Sequence, residues 1–173
     1  VLEERLNILK IYFGDHGSAA VNTLLFSSML GTPFNSTIVK NILQRIATTQ
    51  EELLQPLREY ILEGKDEITL TQAHYEIIEE VYEILSRYVA FNNSYEYRHS
   101  LLNIFLEKQL DYQLDTNIKE NTQEAKDKLY LLTLDEIKKE EEKQSFYGKP
   151  ILSISPEQYE NQLFFTKALI NIS

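Results

Sequence analysis

Few residues in this chain combine the type and the spacing that chemistry requires. Glu96-Tyr-Arg-His99 sets a carboxylate and an imidazole three apart. On a bundle helix that spacing binds a carboxylate-bridged pair of metals, but the centre also needs a second pair and two further glutamates. The residues three before His16 and His74 are Phe13 and Thr71, so the second pair is missing and no metal site is expected. Gly14-Asp-His-Gly17 stands ahead of a helix, where backbone donors can meet an anion; it reads more simply as a turn between helices. No histidine falls in a Ser–His–acid arrangement. The nucleophile elbow, the Walker loop, the dinucleotide fingerprint and the His-Glu-x-x-His zinc motif are all absent. The chain has no cysteine, which excludes a thiol nucleophile, a zinc ribbon, an iron–sulfur site and a disulfide framework. Neither a catalytic residue nor a cofactor is expected, and the chain reads as non-enzymatic.

Recognition is better represented. Tyr95, Tyr97 and Arg98, with His99, follow a turn, and Arg87 lies shortly before it. Tyrosine and arginine concentrate at interface hot spots because each offers a large area with a polar end. The net charge of −10 is unevenly spread. Residues 51–83 hold ten acidic and two basic side chains, whereas residues 1–50 carry a slight positive excess. Glu76, Glu79, Glu80 and Glu83 recur at spacings of three and four, so a helix stacks them on neighbouring turns. Clustered charge of one sign steers a basic partner and rejects wrong ones; it also argues against direct contact with nucleic-acid phosphates.

The rest of the chain reads as helices that position these groups. Leu2, Leu6, Leu9 and Phe13 make a first amphipathic helix, ended by Gly14–Gly17. Gly17 to Val39 is the longest uncharged run; its polar residues exclude a membrane span, and the helix of Val21, Leu24, Leu25 and Met29 should be the most enclosed. A third helix, capped by Asn35 or Ser36, aligns Ile38, Ile42, Leu43 and Ile46. Thr49-Gln-Glu-Glu52 has the capping-box pattern, and Pro56 predicts a kink or a later start for the fourth helix. A long fifth helix from Thr69 or Thr71 faces inward at Ile77, Ile78, Val81, Leu85, Tyr88 and Val89. Asn92-Asn93-Ser94 caps a sixth, with Leu101, Leu102, Phe105 and Leu106 as its stripe. A seventh includes Leu129 and Leu132, and Thr133–Glu136 restarts the helix at Leu134. Lys138 to Lys143 reads as a solvated face, and Ser155-Pro-Glu-Gln158 opens the last helix.

The fold class expected is therefore all-α, with about eight helices in antiparallel pairs in a single domain over residues 1–173. Pair starts near residues 1, 36, 71 and 118 approach the period of helical-hairpin repeats. In architecture, though not in motif, the chain resembles HEAT and armadillo scaffolds; a compact bundle fits the same pattern. The chain begins at Val1 and its only methionine is Met29, so it is expected to be a fragment of a longer protein. With no cysteine and no signal-like opening, an intracellular, cytoplasmic setting is expected. The leading functional expectation is a protein–protein interaction module, a scaffold or adaptor segment whose acidic face meets a basic protein. Its contact residues would be Glu76, Glu79, Glu80, Glu83, Arg87, Tyr95, Tyr97 and Arg98. The alternative is a stand-alone acidic inhibitor or immunity-type protein that blocks a basic site.

Overall fold

A computed structural model describes residues 2–30, 34–72, 86–90, 94–97 and 100–147. Among these residues the fold is helical, as the sequence implied, with one small sheet that the sequence did not suggest. Helix α1 spans Leu2–Tyr12 and α2 spans Gly17–Ser27, joined by a 3₁₀ turn at Gly14–His16. A second 3₁₀ turn, Ser28–Leu30, follows α2. After strand β1, Phe34–Asn35, come α3, Ser36–Thr48, and α4, Gln55–Leu62. Helix α5 is described over residues 67–72. Strands β2, Ser86–Ala90, and β3, Ser94–Tyr97, precede α6, Ser100–Asn117, and α7, Thr122–Tyr147.

Helix α2 is the axis of the fold. Its charge-free sequence lets it be buried nearly all round, with only Ser18 and Val21 partly open. It touches α1, α3, α4 and α6. A solenoid unit contacts only its neighbours along the chain, so contact between α2 and the distant α6 makes this a bundle and not a stack of hairpins. Helix α3 buries Ile38, Val39, Ile42, Leu43 and Ile46 completely, two side chains per turn on one face. Helix α6 contributes Leu102, Leu106, Leu110 and Leu114, one every four residues.

Ion pairs fasten the outer helices to this core. Arg45 of α3 donates to Asp135 at 2.7 Å and to Glu136 at 3.0 Å on α7. Lys126 of α7 reaches Asp111 at 2.7 Å and Asp115 at 2.8 Å on α6. Arg58 of α4 donates from Nε to the Ala47 carbonyl of α3 and pairs with Glu67 of α5.

Several local expectations need correction. Tyr88 and Val89 are not on a helix; they belong to β2, which pairs antiparallel with β3 in the order β1-β3-β2. The register moves from Tyr88↔Tyr95 to Ala90↔Ser94, so Val89 is the extra residue of a bulge. Aromatic and β-branched residues favour strands, and two such runs flank the turn-forming pair Asn92-Asn93. Helix α6 accordingly begins at Ser100 and not near Asn92. Helix α7 runs unbroken through Thr133, whose hydroxyl donates to the Leu129 carbonyl and leaves nothing to cap. Lys138–Lys143 is not wholly solvated, because Glu140 is buried. Pro56 falls at the start of α4, after a 3₁₀ turn at Glu52–Leu54, which realises the later start. The Thr49 hydroxyl accepts from the Glu51 amide, an ST turn in place of the capping box. The last helix expected, from Ser155, lies outside the described residues.

Candidate functional site

The residues first singled out for recognition do not form one helical surface. Glu76, Glu79, Glu80, Glu83, Arg98 and His99 lie outside the described residues. Arg87 stands on β2 opposite Glu96 of β3, and Tyr97 stands opposite Ser86. Tyr95 occupies the centre of the sheet, in register with Phe34 on one side and Tyr88 on the other. Glu96 is thus on a strand, and the helical spacing that made Glu96–His99 a metal-binding pattern does not apply.

A different site emerges where α1, α2, α4 and α6 converge. Between them opens a cleft of about 270 Å³. Helix α1 lines it with Leu6, Asn7 and Lys10, and α2 with Ser18, Val21, Asn22 and Leu25. Tyr60 and Glu63, at the end of α4, form one wall, and Gln109 and Gln113 of α6 form another.

The close approach that creates this site depends on Gly17. A Cβ there would fall on the Lys10 carbonyl oxygen and within 2.8 Å of the Lys10 Cγ. Only a residue without a side chain lets the start of α2 cross α1 at that distance.

Asn22 is the most telling member. It is 2% exposed, in the middle of the most enclosed helix. The other buried polar side chains of that segment are satisfied by their own backbone: Thr23 donates to the Ala19 carbonyl at 2.8 Å, Ser27 to Leu24 at 2.7 Å and Ser28 to Leu25 at 2.6 Å. Asn22 makes no side-chain hydrogen bond to any described residue, and it lines the cleft. Its amide is not among the fully buried atoms left without a hydrogen bond, so it opens onto the cleft, where solvent or a ligand can meet it.

Two further features carry a cost. Glu63 has φ 49°, a left-handed conformation that costs a side-chain-bearing residue about 1–2 kcal/mol. Glycine would be the economical residue at this helix end. Glu63→Gly should therefore stabilise the fold by about 1 kcal/mol, read as a higher urea midpoint. A lower midpoint would mean that the carboxylate itself supports the native state. Beside it, burial and then the Glu63 charge push the Tyr60 phenol up to about 12. The native state retains this proton above pH 10, where the unfolded chain loses it, so the stability is present below pH 10 and fades between pH 10 and 12. Tyr60→Phe should flatten that alkaline loss of stability, and an unchanged profile would place the effect elsewhere.

Outside the cleft, α1 leaves Ile8, Ile11 and Tyr12 exposed at 64%, 79% and 66%. They follow the i, i+3, i+4 pattern of one helix face, with Tyr12 packed edge-on against Phe13 at 5.1 Å between ring centroids. Lys65 donates to the Asp15 carbonyl at 2.9 Å, tying the turn after α4 to the turn after α1. Asp15, in the turn after α1, is exposed.

Sequence reasoning missed the cleft. Its one available signal was Asn22, an amide in the helix already marked as most enclosed. No described helix is long and apolar enough to cross a membrane, and no group of described acids and histidines is placed to hold a metal ion. Comparison with protein-family models, with curated proteins and with solved structures finds no match.

Proposed function

We propose that this protein is a non-enzymatic, intracellular interaction module that receives a basic amphipathic helix of another protein on the outer face of α1. The observation that carries the reading is the pair Ile8 and Ile11, large apolar side chains 64% and 79% exposed on one face of α1, with Tyr12 next along that face. Helix-on-helix recognition uses such i, i+3, i+4 anchors. Charge identifies the occupant. The chain has a net charge of −10, so a basic flank on the incoming helix meets complementary potential.

The acidic run over residues 51–83, with Glu76, Glu79, Glu80 and Glu83, supplies much of the net negative charge that speeds encounter with a basic partner. Arg87, Tyr95 and Tyr97, on the strands, stay in the proposal as a second contact region, together with Arg98, which follows Tyr97 in sequence. The surrounding chain would then belong to a scaffold or adaptor.

The test is photo-cross-linking in cells from a benzophenone side chain at position 11, with the exposed position 120 as control. The expected product at 11 is a heterologous protein whose cross-linked segment is a basic amphipathic helix, absent at 120. Equal products at both positions, or capture only of a second copy of this chain, would overturn the proposal.

A further inference from the structure

We propose that the cleft between α1, α2, α4 and α6 binds a small zwitterion, a free α-amino acid with an aliphatic side chain. Asn22 supplies the first reason. A 2% exposed carboxamide without a protein partner, facing a cavity, is positioned for a ligand that brings both a donor and an acceptor.

Charge supplies the second. The cleft has one cationic side chain, Lys10, and one anionic side chain, Glu63. Neither is ion-paired to the other or to any other described residue. Both are solvent-exposed at the rim of the cleft, and a ligand with an adjacent carboxylate and ammonium can pair with both at once. The Tyr60 hydroxyl keeps its proton throughout the neutral range and adds a neutral donor beside Glu63.

Shape and polarity supply the third. Gln109 and Gln113 provide uncharged amides on the α6 side, while Leu6, Val21 and Leu25 form an apolar floor. The volume of about 270 Å³ lies just under the span of roughly 300–1,000 Å³ used by drug-sized ligands. It suits one compact molecule with a short hydrocarbon side chain. A nucleotide or other polyanion finds a single cation there.

Asn22 makes no hydrogen bond to a described residue that leucine would break, so Asn22→Leu should cost the fold little.

The experiment is titration of the full chain with L-leucine, followed by amide chemical shifts and calorimetry. L-leucinamide and N-acetyl-L-leucine serve as probes that each delete one charge. Saturable binding of leucine is expected, with shifts centred on α1, α2 and the end of α4, and at least about tenfold weaker binding of both derivatives. Asn22→Leu should bind leucine at least about tenfold more weakly while melting no lower than the parent. No saturable shift with leucine, isoleucine, valine or methionine would overturn the proposal. So would binding of either derivative as tight as that of leucine, or an Asn22→Leu variant that binds leucine as tightly as the parent. Since no macromolecular partner enters this test, its failure leaves the docking face on α1 untouched, and the converse holds as well.

Discussion

Truncating Phe26 to alanine is expected to destabilise the fold by about 3–5 kcal/mol, the range for emptying a fully buried aromatic site. Phe26 is 0% exposed and sits on α2, which contacts α1, α3, α4 and α6. The cavity cannot be closed by moving one neighbour, because several helices share that wall. For a domain of this size each kcal/mol lowers Tm by roughly 2–4 °C, so the midpoint should fall by about 10 °C. Urea unfolding with an unchanged slope checks this. A loss under about 1 kcal/mol would mean that α2 is not the centre on which the bundle is built.

Gly17→Ala has the second large effect, through contact and not through backbone freedom. Gly17 has φ −58°, an ordinary helical value, and alanine there would gain roughly 1 kcal/mol of helix propensity. The added Cβ, however, lies on the Lys10 carbonyl oxygen and 2.9 Å from its carbon. A carbonyl cannot swing aside as a side-chain tip can, so α1 must move. Overpacking of this kind costs about 1–3 kcal/mol and sometimes more, which outweighs the propensity gain. Gly14 is the informative control. Nothing lies within 4 Å of a Cβ there, but its φ of +55° penalises alanine locally. Both variants should melt lower, and only Gly17→Ala should displace Lys10 and Asn7 and weaken whatever the cleft and the α1 face bind. Equal effects of the two on binding would remove the α1–α2 crossing from the site.

Helical class and the enclosure of α2 were legible because they rest on hydrophobic spacing and on the absence of charge from Gly17 to Val39. What was not legible depended on contacts between distant segments. Strand pairing at Tyr88↔Tyr95 competes with a helical pattern that the same residues also satisfy, and only the partner strand decides between them. The choice of bundle over solenoid likewise needed the α2–α6 contact, which no local pattern encodes. Thr133 looked like a cap because threonine satisfies either a free amide ahead or a carbonyl behind, and in α7 it takes the Leu129 carbonyl. The cleft was the hardest feature to see. Lys10, Asn22, Tyr60, Glu63 and Gln113 come from four helices, and their meeting is set by the crossing at Gly17, a glycine that in sequence only looked like the end of a turn.

The most direct test of the docking face is the paired substitution Ile8→Asp and Ile11→Asp. Both side chains are largely solvent-exposed, at 64% and 79%, so surface changes there should alter stability by no more than about 0.5 kcal/mol each. With the cross-linked partner helix as a peptide, affinity should fall at least about a hundredfold while Tm stays unchanged. A peptide that binds the doubly substituted protein as tightly as the parent would contradict the assignment of this face.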